Sequence, residues 1–142
     1  MLSLVPVTDL QPFAALLRAN GLPADDLSEA GRRFWRAVTP EGATIGFGGL
    51  EGDGADVLLS SVVIDSEARG RGAGRALVGR LMAEAKTGGA QKVWLLTIDA
   101  ADFFRHLGFA EAERAGAPAA ITTSQQFSTL CPASAHLLVT SL

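Results

Sequence analysis

A chain of 142 residues with 48% hydrophobic side chains carries enough apolar material for one compact domain with its own core, which excludes an intrinsically disordered chain. Fifteen acidic against twelve basic residues give a net charge of −3, the wrong balance for a nucleic-acid binder, which would show a basic stripe. The single cysteine, Cys131, excludes an internal disulfide and fits a reducing compartment.

The basic residues gather around Arg32 to Arg36 and around Arg69 to Arg80. That distribution points to a local anion site rather than a long polyanion track. No apolar run approaches the roughly 20 residues of a membrane span. Pro6 and Asp9 leave no basic-then-apolar leader near the start. A soluble cytoplasmic protein without a membrane partner is therefore expected.

Ser3 to Val7 reads as a first strand. Thr8 can cap a helix from about Asp9, in which Leu10, Phe13, Ala14 and Leu17 share one apolar face. Asn20-Gly21 stops it, and Pro23 to Ala30 is expected as a second short helix. A meander follows, with strands over Phe34–Thr39, Ala43–Leu50 and Asp56–Ile64. Turns at Pro40-Glu41-Gly42 and Glu51-Gly52-Asp53-Gly54 separate them. The last strand is continuously apolar and should be buried on both faces.

Gly74, Leu77, Val78, Leu81, Met82 and Ala85 make a broad stripe of helical period, ended by Thr87-Gly88-Gly89. Val93 to Thr97 is the next strand. Strand, glycine turn, helix and strand in that order form a β-α-β unit, so the strands at Asp56–Ile64 and Val93–Thr97 should run parallel. Asp99 reads as the cap of a short helix with Phe103 and Leu107 on one face, closed by Gly108. Phe109 begins a further strand, Ala115 to Pro132 reads as broken helix, and Ala135 to Ser141 is the final strand. An exposed edge there would invite two chains to pair.

The turn Arg69-Gly70-Arg71-Gly72-Ala73-Gly74 joins a buried strand to the strongest helix. The first N–H groups of a helix have no internal partners and are reinforced by its dipole. Gly70, Gly72 and Gly74 remove the side chains that would keep an anion away, while Arg69, Arg71 and Arg75 add positive charge. Such a turn can cradle a pyrophosphate. A dinucleotide fingerprint would need glycine where Arg75 stands, and no Gly-Lys-Ser/Thr ending of a P-loop exists. A turn that merely lets helix and strand pack is the plain alternative. The flanking arginines and the helix behind them weigh against it.

Here the chain resembles the GNAT superfamily of N-acetyltransferases, whose hallmark is Gln/Arg-x-x-Gly-x-Gly/Ala opening a helix after a central strand. Arg69, Gly72 and Gly74 stand in its fixed positions. The stretch Ala101-Asp102-Phe103-Phe104-Arg105-His106-Leu107-Gly108-Phe109 looks like a second family segment, Ala-x-x-Phe-Tyr-x-x-x-Gly-Phe. The tail, with Ala117-Pro118, Thr122 to Phe127 and Leu130-Cys131-Pro132-Ala133-Ser134-Ala135, is similar to a narrower branch of small acetyltransferases associated with arsenic-resistance gene clusters.

The resemblance implies a single N-acetyltransferase domain over residues 1–142. Its fold would be a mixed, mostly antiparallel α/β sheet with a central splayed parallel pair flanked by helices. It implies acetyl-CoA as cosubstrate and a small, amino-acid-like amine as acceptor. Val62, Val63 and Ile64 would pair with the pantetheine arm through their backbones, as an added strand does. The amides from Arg69 through Gly70, Arg71, Gly72, Ala73 and Gly74 to Arg75 would hold the pyrophosphate, with Phe103 and Phe104 beside the cofactor. The parallel strands would splay after Ile64 and Thr97, and a backbone N–H of Val62 or Val63 would stabilise the oxyanion.

Many relatives place a tyrosine where Phe104 stands, as acid for the leaving sulfur. The chain has no tyrosine, so tyrosine catalysis is excluded and water would protonate the thiolate. His106 could substitute, although a helix turns it away from Phe104. Glu51, Asp56, Asp65 and Glu67 are candidate bases, with Ser60 or Ser61 holding water, and no spacing singles one out. Asp99 is better read as a cap, and Thr97 could touch substrate or simply belong to its strand. Cys131 reads as a structural thiol rather than a nucleophile, and one thiol offers no metal site. Arg32, Arg33, Phe34, Trp35 and Arg36 could recognise a substrate carboxylate or form an exposed strand face. A catalytically silent acyl-CoA-binding module stays open as the alternative function.

Overall fold

A computed structural model of the chain describes residues 2–7, 11–19, 32–52, 54–64, 72–98, 100–122 and 135–142. Its strands are β1 (Ser3–Pro6), β2 (Arg32–Val38), β3 (Thr44–Glu51), β4 (Asp56–Ile64), β5 (Lys92–Thr97), β6 (Ala110–Glu111) and β7 (His136–Ser141). They form one sheet in the order β1-β2-β3-β4-β5-β7-β6. Every neighbouring pair is antiparallel except β4 and β5, which run parallel. The helices are α1 (Gln11–Ala19), α2 (Ala73–Thr87), α3 (Ala101–His106) and α4 (Ala119–Thr122), with a 3-10 turn at Arg114–Gly116. The expected mixed sheet with a central parallel pair is therefore present. The helix expected over 23–30 lies outside the described residues.

Strand alternation sends neighbouring side chains to opposite faces. On one face Trp35, Val57, Leu59, Val93 and Leu95 meet Leu77, Leu81 and Ala85 of α2, with Ala101 and Phe104 of α3. On the other, Phe34 and Val63 pack beneath Phe13, Ala14 and Leu17 of α1. Farther along that second face, Leu58, Trp94 and Leu137 close over Ile121 of α4. β4 is covered on both sides, as its unbroken apolarity requires.

The expected α2 stripe is observed, with Leu77, Val78, Leu81 and Ala85 buried. The helix sits directly on the β3 backbone at Gly48, where a Cβ would stand 2.4 Å from Leu81 Cδ1. No side chain larger than hydrogen fits there without displacing the Leu81 side chain.

α3 differs from expectation. It buries Ala101 and Phe104, while Phe103 is 40% exposed. Two adjacent phenylalanines leave i,i+3 and i,i+4 pairings equally open on paper. Packing selects Phe104, whose ring meets Phe109 edge-on with centroids 5.6 Å apart. Gly108, at φ 101°, turns the chain back so that Phe109 can reach it. The cap position belongs to Ala100, whose N–H donates to Thr97 Oγ1 at 3.0 Å. Asp99 lies outside the described residues.

Candidate functional site

The site begins where β4 and β5 part. Their register runs Asp56–Lys92, Val57–Val93, Leu58–Trp94 and goes no further. Beyond Leu58, β4 remains paired with β3 as far as Ile64 opposite Gly46. Beyond Trp94, β5 is held by β7 as far as Thr97 opposite His136. Both strands continue, each supported on its outer side, with a gap between them. The splay expected after Ile64 and Thr97 therefore starts earlier, inside the strands. The cause lies in β4: Gly49 pairs with Ser60 and Phe47 with Val63, so Ser61 and Val62 together face Gly48.

Two residues against one is a β-bulge, which bends its strand and re-aims it. The side chains record the change of parity. Val57 and Leu59 face α2, and after the bulge Val62 and Ile64 do so, while Leu58 and Val63 face the other way. The bulge is also fixed from the β3 side, since a Cβ on Gly46 would lie 2.6 Å from the Val63 carbonyl oxygen. Ahead of the bulge, alternate main-chain groups of β4 face the gap. Ala55 marks the direction, its carbonyl accepting the N–H groups of Gln91 and Lys92 at 2.7 and 2.9 Å. By alternation the N–H and C=O of Leu59 point the same way.

The start of α2 lies at the same end of the sheet. Gly72 occupies the cap position at φ 74°, ψ 7°, with no side-chain cap and no acidic residue in the first turn. By helix geometry the N–H groups of Ala73, Gly74 and Arg75 have no acceptor within the helix. A Cβ on Gly74 would stand 3.3 Å from Phe103 Cζ and 3.8 Å from Ile64 Cγ1. The exposed Phe103 ring, the end of β4 and the first turn of α2 thus converge on one spot. Ile98, just past the end of β5, is also exposed, at 62%. Phe104 lies behind the Phe103 ring, in the core.

Arg69, Gly70 and Arg71, the candidate bases Asp65 and Glu67, and Cys131 lie outside the described residues. Asp56 is engaged elsewhere: its Oδ1 accepts the Trp94 indole N–H at 2.8 Å, at the closed end of the β4–β5 pair. Removing a partner from a buried donor costs about 1–3 kcal/mol. Asp56→Ala should therefore lower stability by that order in urea denaturation, as expected of a structural carboxylate.

His106 is also tied back, its Nδ1 lying 2.7 Å from the Asp102 carbonyl oxygen one turn earlier. His136 Nδ1 meets Glu111 Oε1 at 2.6 Å, and Arg105 donates to the same carboxylate. The hydrogen bond from His136, then that from Arg105, holds the Glu111 carboxyl below its ordinary range. Ser60 is buried within β4.

The arginines of β2 separate by parity. Arg33 lies 5.6 Å over the Trp35 ring and donates to the Gly52 carbonyl at 3.4 Å. Arg36 stands on the opposite face, across from Phe47, and donates to Thr44 Oγ1 at 3.0 Å. Sequence reasoning missed the bulge. Its signal was the run of glycines at 46, 48 and 49 in β3, since glycine inside a strand marks close backbone approach.

The model of the acetyltransferase (GNAT) domain matches residues 30–111. The chain is similar to an amino-acid acetyltransferase of Mycobacterium tuberculosis, 35% identical over 108 residues, covering 74% of this chain and 59% of that protein. It thus spans under two thirds of that relative. The fold is similar to N-acetylglutamate synthase of Neisseria gonorrhoeae complexed with coenzyme A and N-acetyl-glutamate, with TM-score 0.79 at 18% identity over 100% of this chain and 35% of that one. It is also similar to a GNAT acetyltransferase of Staphylococcus aureus, with TM-score 0.73 at 19% identity over 100% and 99% of the two chains. With the family model covering more than half of the sequence and the parted strand pair it leads to, the chain belongs to the GNAT acetyltransferase family.

Proposed function

We propose that the chain is an acetyl-CoA-dependent N-acetyltransferase acting on a small, amino-acid-like amine by direct transfer. The observation that carries this reading is the meeting of two main-chain donor sets at one end of the sheet. One is the uncapped start of α2 at Gly72. The other is the β4 main chain facing the gap beside β5. A diphosphate suits the first set and an extended amide-bearing arm the second.

Acetyl-CoA would supply an acetyl group activated as a thioester. The remaining work falls to the chain. Amides from Arg69 to Arg75 would hold the pyrophosphate, and Val62, Val63 and Ile64 would present backbone partners to the pantetheine. Phe103, beside Gly74, would border the arm, with Phe104 in the core behind it. A backbone N–H of Val62 or Val63 stabilises the developing oxyanion. Holding amine and thioester in one slot supplies much of the acceleration. No tyrosine exists to protonate the departing thiolate, and water serves.

The amino-acid acetyltransferase relative and the fold likeness to N-acetylglutamate synthase support an amino-acid acceptor. The tail's resemblance to the arsenic-associated branch supports a small acceptor of the same kind. A cytoplasmic location completes the proposal; the expected pairing of two chains through the last strand is not part of it, because β7 lies between β5 and β6 and is no sheet edge.

Acetyl-CoA incubated with a panel of amino acids and simple amines, with free thiol as the readout, tests it. Amine-dependent thiol release is expected. The absence of tyrosine favours one competing reading, a silent acyl-CoA-binding module. Binding of coenzyme A in calorimetry with no thiol release from any amine would establish that module instead.

A further inference from the structure

Resting on that reading of the slot, we infer that Arg36 is the side chain that reads a carboxylate on the acceptor amine. Three observations lead there. The first is position. Val5, Arg36, Phe47 and Val63 form one row of cross-strand partners over β1, β2, β3 and β4. Directly paired residues project to the same face. Phe47 and Val63 belong to the α1 face, so Arg36 does too. Strands lie about 4.8 Å apart, which places the Arg36 backbone about 10 Å from that of Val63, at the edge of the gap. Phe47 lies between them, its ring stacked on Phe13 of α1 with centroids 4.9 Å apart.

The second observation is orientation. The guanidinium bonds Thr44 at the start of β3. Because β3 runs against β4, that start lies at the end where β4 and β5 have parted. The cation is therefore directed to the open end of the sheet, on the face opposite α2. A cosubstrate entering over α2 leaves this face for the acceptor.

The third is charge. Arg36 is part-buried, yet among the described residues its hydrogen-bond partner is a neutral hydroxyl. A guanidinium has five N–H donors in a planar fork, and a partly desolvated cation without an anion is costly. A carboxylate would satisfy it with paired, charge-assisted bonds. The other arginines of β2 do not compete for this role: Arg33 is spread over Trp35 on the α2 face, and Arg32 lies at the far end of the strand, opposite Glu51. An amino acid seated with its amine in the gap and its carboxylate reaching Arg36 past the rim of the Phe13–Phe47 stack meets both requirements at once.

The test compares each L-amino acid with its α-amide, and acidic amino acids also with their side-chain amides, as acceptors for the full chain with acetyl-CoA. Wild type should favour the carboxylate form by about 10- to 100-fold in kcat/KM, the size of a charge-assisted pair. Arg36→Met, which keeps the stem packed, should erase that preference by raising KM for the acid while leaving the amide unchanged. Thr44→Val, which frees the guanidinium without removing it, should raise KM for the acid by a smaller factor at unchanged kcat. It also serves if Arg36→Met does not fold. Equal loss on acid and amide in both variants, or a wild type indifferent to the carboxylate, overturns the inference alone. A wild type that binds coenzyme A but acetylates neither form removes the proposed function as well, so the two failures are distinguishable.

Discussion

Gly74→Leu should weaken coenzyme A binding by about 100-fold, the effect of about 3 kcal/mol of overpacking that falls on the bound state alone. The argument is geometric. A Cβ at this position already stands 3.3 Å from Phe103 Cζ and 3.8 Å from Ile64 Cγ1. A leucine continues into the space between the first turn of α2, the Phe103 ring and the end of β4. In the free protein that intrusion is tolerated, because the Phe103 ring is 40% exposed and can swing outward. Leucine is also a better helix former than glycine by about 1 kcal/mol. Tm should therefore hold or rise while the affinity, followed by calorimetry, falls. A variant that binds coenzyme A like wild type would remove the start of α2 from the cofactor site. A variant that loses binding together with stability would show that the substitution acts through the fold.

Why Gly74 could be singled out from sequence, and the β4 bulge could not, has a physical answer. A helix start is a local event. Its glycines, its charges and the stripe at Leu77, Val78, Leu81 and Ala85 stand within one stretch of chain, so the α2 segment and its parallel strand pair were legible. The bulge is a relation between strands. Ser61 and Val62 face a single residue only because Gly46 and Gly48 allow close approach from β3 and α2. Without it, the splay is placed at the strand ends rather than after Leu58 and Trp94. Asp56 was indistinguishable from other carboxylates until Trp94, 38 residues away in sequence, supplied its partner. Arg33 and Arg36 look alike in a basic cluster, and strand parity sends them to opposite faces with different tasks.

Leu81→Ala should produce the largest loss of stability, about 2–5 kcal/mol. At roughly 3 °C per kcal/mol for a chain of this size, that lowers Tm by about 6–15 °C. Leu81 is fully buried and is the contact through which α2 rests on β3, since its Cδ1 would be 2.4 Å from a Cβ on Gly48. Gly48→Ala should itself cost about 1–3 kcal/mol, because the buried Leu81 side chain must shift to admit the methyl. In the double variant the added methyl occupies part of the space that leucine leaves, and alanine suits a strand interior better than glycine. The two losses should therefore fall short of their sum by about 1–3 kcal/mol in a urea-denaturation cycle. Strict additivity would mean that helix and strand do not meet at this point. The consequence reaches the slot as well. The same strand that carries α2 at Gly48 holds the bulge in place at Gly46 and Phe47, so Leu81→Ala should raise KM for acetyl-CoA even at temperatures where the variant is fully folded. A cavity confined to the core, with no tie to the bulge, would leave that KM untouched.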